Sequence, residues 1–481
     1  MNKKIKKTLT ATFVATTAVI PLATSITTTS CSQVIDSFPE YNANLLYENL
    51  EEFVNANPER FVGSAQEAQA AVWVQNKLES FGWEYKTFNG TSEIPSLPET
   101  INRDDRAFFK SEGMIIQNFE YDHSGTYHST NILLSIPTKN ATIDTKNIVL
   151  TCHYDSIQSG VYFNTESSQG LTDNATGVVA LLTLAQFYAQ HENTGKYNIQ
   201  LLFCGAEEWG THGSRTFSQY FFGNYDPNIR TINGNERPIT LYGTTNVDSF
   251  EYCINLDTLA GGDNVYVASP WTEMKRASDG YILRNNLTYK NYDNTSLSVN
   301  RNQSANKIVS DGILNISQKT SLDKQYVIST PKSLFDMNVS ALSQNISNPS
   351  QSTRLMKGQE RTDSSDHFAF YIMGIKTASL GSWNEKINTP GGGGFSSGSQ
   401  TIHPEVWEHE LKIIPQSESG LNFDIYECSQ STDSMQGRIW HTGFDRFDGL
   451  EFLWEDIGGL EHIKNQFFGA WKSVFEFILS L

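Results

Sequence analysis

The sequence predicts an α/β fold: a mixed, mostly parallel central sheet with helices on both faces and loop insertions between core elements. Two observations predict it. Short apolar runs of strand length alternate with segments whose apolar residues recur at helical spacing. The strand runs are also apolar nearly throughout rather than on one side only. A strand that is apolar on both sides is buried on both sides, which requires helices above and below the sheet.

Residues 1–30 read as a signal peptide of the lipoprotein type. Lys3, Lys4, Lys6 and Lys7 precede a mildly apolar run, TLTATFVATTAVIPLATSI, and small residues then lead to Cys31. Pro21 and the many threonines leave this run short of the ~20 apolar residues that a membrane span needs. Cys31, directly after Thr-Thr-Ser, resembles the acylated cysteine of a bacterial lipobox, although Thr28 and Thr29 stand where a larger aliphatic residue is usual. On this reading Cys31 carries the lipid and residues 31–45 form a tether. The protein then sits on the extracellular face of the bacterial membrane, lipid-anchored, or is secreted.

Residues 46–481 form the main domain. NLLYENLEEFV and AQAAVWVQNKLESFGW carry helical periodicity. STNILLSIP and NIVLTCHYDS read as strands, GVVALLTLAQFYAQ as a helix, NIQLLFCGAEE as a strand, GSRTFSQYFF as a helix and YCINLDT as a strand. GLEHIKNQFFGAWKSVFEFIL has apolar residues three to four apart and closes the domain as a helix on the sheet. Two stretches break this rhythm and read as insertions: one near 261–361, rich in Asn, Ser and Thr, and one near 385–437, which contains GGGGFSSGSQ. Such insertions at a sheet edge are either plain surface loops or covers over an active site.

Composition excludes several function classes. A net charge of −18 over 481 residues argues against binding to a phosphate backbone, so no nucleic-acid partner is expected. Five cysteines exclude a disulfide-dense scaffold. With 38% hydrophobic and 12% aromatic residues, wholesale disorder is excluded too.

Four acid- or His-bearing motifs stand at or just after the ends of apolar strands, where an open α/β sheet forms its ligand crevice. His153 and Asp155 lie in NIVLTCHYDS, Asp173 in LTDNATG, Glu207 and Glu208 in LLFCGAEEWG, and Asp257 in CINLDT. Asp173 alone is explained as a helix cap, and Glu207–Glu208 alone as solvated surface. Gathered in one crevice, these carboxylates repel one another, and bound cations relieve that repulsion.

The ordered set HYDS, DNATG, GAEEWGTHGS and NLD resembles the zinc-dependent M28 peptidases, and SSDHFAFYIMGIKTASL and IWHTGFDRF complete the family order. The resemblance covers roughly residue 50 to the end. It implies the zinc-dependent exopeptidase fold, of phosphorylase/hydrolase type, and two zinc ions per chain. His153 and Asp257 would bind one ion, Glu208 and His441 the other, and Asp173 would bridge both. Glu207 would be the catalytic general base. Asp155 would accept from the second ring nitrogen of His153, Asp366 and His367 would support the site, and Trp440 would line the substrate pocket. HTGFDRF departs from the family's more common HTPxD, with Thr442 and Asp445 in place.

The activity implied is that of an aminopeptidase acting on peptides, with membrane contact only through the lipid anchor. Glutaminyl cyclases share the fold with a single zinc, and CHYDS and Trp440–His441 resemble that group; DNATG and EEWGTHGS look more like the peptidases. A catalytically inactive exported binding protein is a third reading, opposed by an intact Glu207 and five intact ligand positions. Substrate side-chain preference and oligomeric state are not legible.

Other motifs are set aside. GFSSG (Gly394 to Gly398) lacks the strand and helix of a nucleophile elbow. His409-Glu410 has no second His at zincin spacing. Cys152, Cys204 and Cys253 read as buried thiols. His123, His128, His191, His212, His403, His409 and His462 read as surface or structural residues.

Overall fold

The structure is a computed structural model that describes residues 38–94 except 89, 104–224 except 159 and 161, 244–269, 365–383 and 437–481. Between these it describes 239–241, 274–276, 281–284, 307–320, 387–389, 394–395, 399–401, 403–407, 411–415, 417 and 425–428. The expected signal peptide, Cys31 and His409-Glu410 lie outside the described residues, as do Ser396 to Gly398 of GFSSG and much of both insertions.

Helix α1 (Ala43–Ala56) is capped by Asn42, whose side chain accepts from Asn44 N and Leu45 N. Tyr41 is already buried, packed edge-on against Phe187. Residues 41–45 of the tether expected over 31–45 thus belong to the folded domain, because an aromatic ring at 41 packs in the core and α1 begins at Ala43. Helix α2 (Ala65–Ser80) starts at Ser64, which accepts from Glu67 N.

The central sheet has eight strands: β1 (Glu93–Ile94), β2 (Gly113–Asp122), β3 (Thr126–Ile136), β4 (Asn147–His153), β5 (Asn198–Cys204), β6 (Phe250–Leu256), β7 (Asn264–Ala268) and β8 (Lys376–Trp383). Their order is β1-β2-β3-β5-β4-β6-β8-β7. The run β5-β4-β6-β8 is parallel, as is β1-β2; the β2-β3-β5 pairings and β8-β7 are antiparallel. This is the mixed, mostly parallel sheet that the strand composition predicts.

Every residue of β4 and β5 is buried. Alternate side chains serve opposite layers. Ile148, Leu150 and Cys152 face the larger apolar cluster with Ile199, Leu201 and Phe203, whereas Val149, Leu202 and Cys204 face the smaller one. The larger cluster is closed by α1, α2, α3 (Thr176–Gln190), α5 (Lys307–Thr320) and α8 (Leu460–Leu479), and the smaller by α4 (His212–Phe221) and α6 (His367–Tyr371).

Both expected insertions contain regular structure. β7 is an edge strand of the main sheet, with Val265 and Val267 buried, and α5 buries Val309 and Ile313 in the larger cluster. Strands Ile387–Thr389, Gly394–Phe395, Leu411–Ile414 and Ile425–Cys428 build a separate four-stranded sheet. Polar neighbours conceal β7 and α5 in the sequence: among the described residues β7 sends Val265 and Val267, and α5 sends Val309, Ile313 and Ile316, into the larger cluster.

Candidate metal centre

Five segments converge beyond the carboxyl ends of β4, β5 and β6. His153 is the last residue of β4. Asp173 lies in the turn Leu171–Ala175 that leads into α3, and the Asp173–Asn174 peptide is cis. Glu207 and Glu208 follow β5, Asp257 follows β6, and His441 precedes α7 (Phe447–Leu453) with a left-handed backbone, φ 61°.

Asp173 stands between the two histidines. Its Oδ1 is 3.2 Å from His153 Nε2 and its Oδ2 is 3.2 Å from His441 Nε2. His153 Nε2 is also 3.6 Å from Asp257 Oδ1, and His441 Nε2 is 2.8 Å from Glu208 Oε2. Two ligand groups result, His153–Asp173–Asp257 and Asp173–Glu208–His441, each offering three ligand atoms within 4.8 Å of one another. The structure thus brings together all five residues that the resemblance implies as ligands.

Loop chemistry explains how the ligands are held. Asn174 donates to Leu256 O at 2.8 Å and accepts from Gly177 N and Thr258 N, which ties the Asp173 turn to the Asp257 turn. A side chain at Gly177 would run into Asn174 and Leu256 O, so the DNATG glycine marks a close helix–strand approach. Asp445 accepts from Thr172 N (2.6 Å), Thr172 Oγ1 (2.8 Å) and Asp173 N (3.2 Å), which joins the His441 loop to the same turn. The departure from HTPxD also has a physical reason. A side chain or proline ring at Gly443 would meet Phe163 N and Glu166 O, because the 162–166 loop packs directly on it.

Asp155 differs in part from its expected role. His153 Nδ1 is closer to the Asp155 backbone oxygen (3.2 Å) than to its carboxylate (3.5 Å). The carboxylate instead accepts Glu207 N at 3.1 Å and Glu208 N at 3.0 Å. Backbone donors at the head of a buried turn need acceptors, and this carboxylate supplies both.

Asp366 is buried; burial raises its carboxyl to about 6, with the His153 charge opposing and Asp155 and Asp257 adding to the shift. His367, also buried, opens α6. Neither belongs to the two ligand groups. Trp440 is half-buried with its ring 6.2 Å from that of His441. Cys152, Cys204 and Cys253 are free, buried thiols, as expected.

The electrostatics describe a site short of positive charge. Burial pushes Glu208 up to about 7, against the pull of His441 and with the Asp173 charge adding. Burial likewise pushes Glu207 well above the carboxylate range, reinforced by Glu208, Asp366 and Asp257. Burial alone would depress both histidines, but the surrounding carboxylates outweigh it and hold them well above their ordinary value. Asp173 lies below the usual range despite its burial, because both histidines bond to it. Glu208 Oε1 is buried with no hydrogen-bond partner among the described residues. Imidazole nitrogens, convergent carboxylates and an orphaned buried oxygen fit bound divalent cations.

Three contributors lie outside the motifs read from the sequence. Arg60 is fully buried behind the His153 and Asp173 turns. Glu67 accepts from Gly63 N, Ser129 Oγ and Ala206 N, bracing the turn that carries Glu207. Gln400 Oε1 accepts Ile439 N and Trp440 N, just before His441. Only the Ser64-x-x-Glu67 spacing is a recognisable pattern, that of a capping box, and here the Glu67 carboxylate serves Gly63 instead of Ser64.

Comparison with known proteins bears on the same segments. Residues 131–313 match the model of Peptidase family M28. The M28 match contains His153, Asp173, Glu207, Glu208 and Asp257; His441 lies beyond it. The family resemblance of the motifs is borne out over that stretch. Curated relatives are vacuolar membrane proteases: that of Kluyveromyces lactis is 34% identical over 97 residues, 20% of this chain and 9% of that protein. That of Paracoccidioides lutzii is 23% identical over 185 residues, 34% of this chain and 16% of that protein. The chain therefore spans only a small part of the length of these relatives.

Similar solved structures include a leucine aminopeptidase precursor from Bacteroides thetaiotaomicron, at 16% identity and TM-score 0.44, covering 92% of this chain and 98% of that one. A glutaminyl cyclase from Tannerella forsythia stands at 14% and 0.46, covering 92% and 99%. These likenesses do not choose between the two activities. Among the described residues no helix is long and apolar enough to cross a membrane.

Proposed function

We propose that the protein is a zinc-dependent aminopeptidase that removes N-terminal residues from peptides. The observation that carries this reading is Asp173, whose two carboxylate oxygens each face one histidine and complete one three-ligand group. Two zinc ions per chain would be held, one by His153 and Asp257, the other by Glu208 and His441, with Asp173 shared. Zinc, when bound, polarises a scissile carbonyl and acidifies water enough for attack near neutral pH.

The chain's own residues supply the rest. Glu207 is the general base: its carboxylate takes a proton from the attacking water and delivers it to the leaving amine. Asp155 orients base and ligand together, since its two oxygens hold the backbone N–H groups of Glu207 and Glu208. Trp440, beside His441, borders the substrate pocket. Asp366 and His367 support the site from α6.

Hydrolysis of unblocked and N-acetylated peptides, with chelator and with added zinc, tests this. The expected result is zinc-dependent release of single N-terminal residues from unblocked peptides only. Loss of ammonia from N-terminal glutamine without hydrolysis would instead favour a glutaminyl cyclase with one zinc, and absence of zinc binding an inactive binding protein. We also propose an extracellular, lipid-anchored placement through Cys31. Cys31→Ser should then shift the protein from the membrane fraction to the medium, and an unchanged membrane fraction would overturn the anchor.

A further inference from the structure

Arg60 is completely buried, and among the described residues its guanidinium hydrogen-bonds to backbone oxygens alone. Nε donates to Tyr154 O at 2.7 Å; Nη1 donates to Asn57 O at 3.1 Å and Gln169 O at 2.9 Å; Nη2 donates to Gly170 O at 2.8 Å. Its own carbonyl accepts Ser156 N at 2.9 Å. One residue therefore joins the chain just after His153 to the chain just before Asp173. The face of the Phe53 ring, 4.8 Å away, closes the remaining side.

The segment it holds is gripped from both sides. Asp445 takes the amides: its backbone oxygen accepts Gln169 N, and its carboxylate accepts Thr172 N and Asp173 N. Arg60 takes the carbonyls of 169 and 170. Gly170, with φ 58°, lets the turn approach so closely that a Cβ there would lie 2.7 Å from Arg60 Nη2. No carboxylate lies within ion-pair distance of Arg60 among the described residues, although the charges of Asp445, Asp155, Asp173 and Glu208 all act on it.

We propose that Arg60 is a positioning residue that sets the metal affinity of the site by splinting the His153 and Asp173 turns together. This rests on the reading of those two residues as zinc ligands. The geometric role and the charge of Arg60 have opposite signs. A buried positive charge opposes a nearby cation, so if charge governed, its removal would tighten zinc binding. A splint that orients ligands gives the reverse, typically a 10–100-fold loss of affinity when it is removed. Lysine separates the two further, since it keeps the charge but lacks the planar fork that reaches several carbonyls at once.

The test is the zinc dissociation constant of the full chain, from competition with a chromogenic chelator, for wild type, Arg60→Lys, Arg60→Gln and Ile313→Ala. The last removes a buried side chain of α5, a helix that packs against β7, β8 and α8, and controls for general destabilisation. Measurements are made at a temperature where near-ultraviolet circular dichroism shows every variant folded. Both Arg60 variants should bind zinc at least about tenfold more weakly, while Ile313→Ala stays within about twofold. Arg60 variants within twofold of wild type, or a tighter-binding Arg60→Gln, would overturn the proposal. Variants unable to fold even in the cold would also overturn it, since Arg60 would then be a stability residue alone. A wild-type chain that binds no zinc would remove the metal reading itself, which the wild-type arm reports separately.

Discussion

Glu207 and Glu208 are neighbours with different proposed duties, and the difference is one of direction. Glu208 points at His441, whereas Glu207 belongs to neither ligand group. Glu207→Gln should therefore cost about 10²–10⁴-fold in kcat while zinc content stays at the wild-type level; retention of most activity would remove Glu207 from the base role. Glu67, 2% exposed, yields a different prediction. Burial, with the Asp155 charge adding, raises its carboxyl from 4.5 to about 7 against three hydrogen bonds that favour the charged form. The folded chain thus keeps a proton that the unfolded chain has already released between about pH 4.5 and 7, so this residue lowers stability as pH rises through that window. Urea denaturation of chelated protein should show Glu67→Gln to be less pH-dependent there than wild type, and parallel curves would refute the shift. Of the proposed ligands and base, His153, Glu207, Glu208 and Asp257 were legible because each ends or follows an apolar run, whereas Asp173 and His441 were singled out by the resemblance of their motifs. Arg60 and Gln400 were not, because their importance arises from burial against chain segments 94 to 110 and 39 to 40 positions away.

At the scale of elements, the strands that carry the site were the easiest to read. β4, β5 and β6 are hydrophobic on both sides because helices cover both, so their composition announces their place. β7 and α5 escaped because each lies on the rim of the fold among Asn-, Ser- and Thr-rich neighbours. Helix starts are set locally. Asn42 accepts two amides at the head of α1, at 2.9 and 3.2 Å, so Asn42→Ala should cost about 1 kcal/mol, read from the urea midpoint at unchanged m-value. An unshifted midpoint would show that packing of α1 against α8, rather than the cap, fixes its start.

The whole molecule is held to its site by contacts between distant parts of the chain. Asp445 and Thr172, whose bond helps to fix Asp173, are 273 positions apart. Metal that bridges such segments stabilises only the folded chain. At zinc a thousandfold above its dissociation constant, the gain should be about 4 kcal/mol. Thermal unfolding with zinc and with chelator checks this; identical midpoints would mean that the metal does not couple these segments. The fold class was legible from alternation alone, but the meeting of β4, β5 and β6 with a loop near residue 441 was not, since no local pattern encodes a contact over that separation.

The packing of the 162–166 loop on Gly443 makes two stretches of chain into one evolutionary unit. Restoring the proline that HTPxD would place there demands that the other loop first retreat, and shortening that loop would leave Gly443 with freedom it does not now have. Changes at the two places should therefore be tolerated in combination and rejected singly. Any redesign of the rim of this site has to move both together.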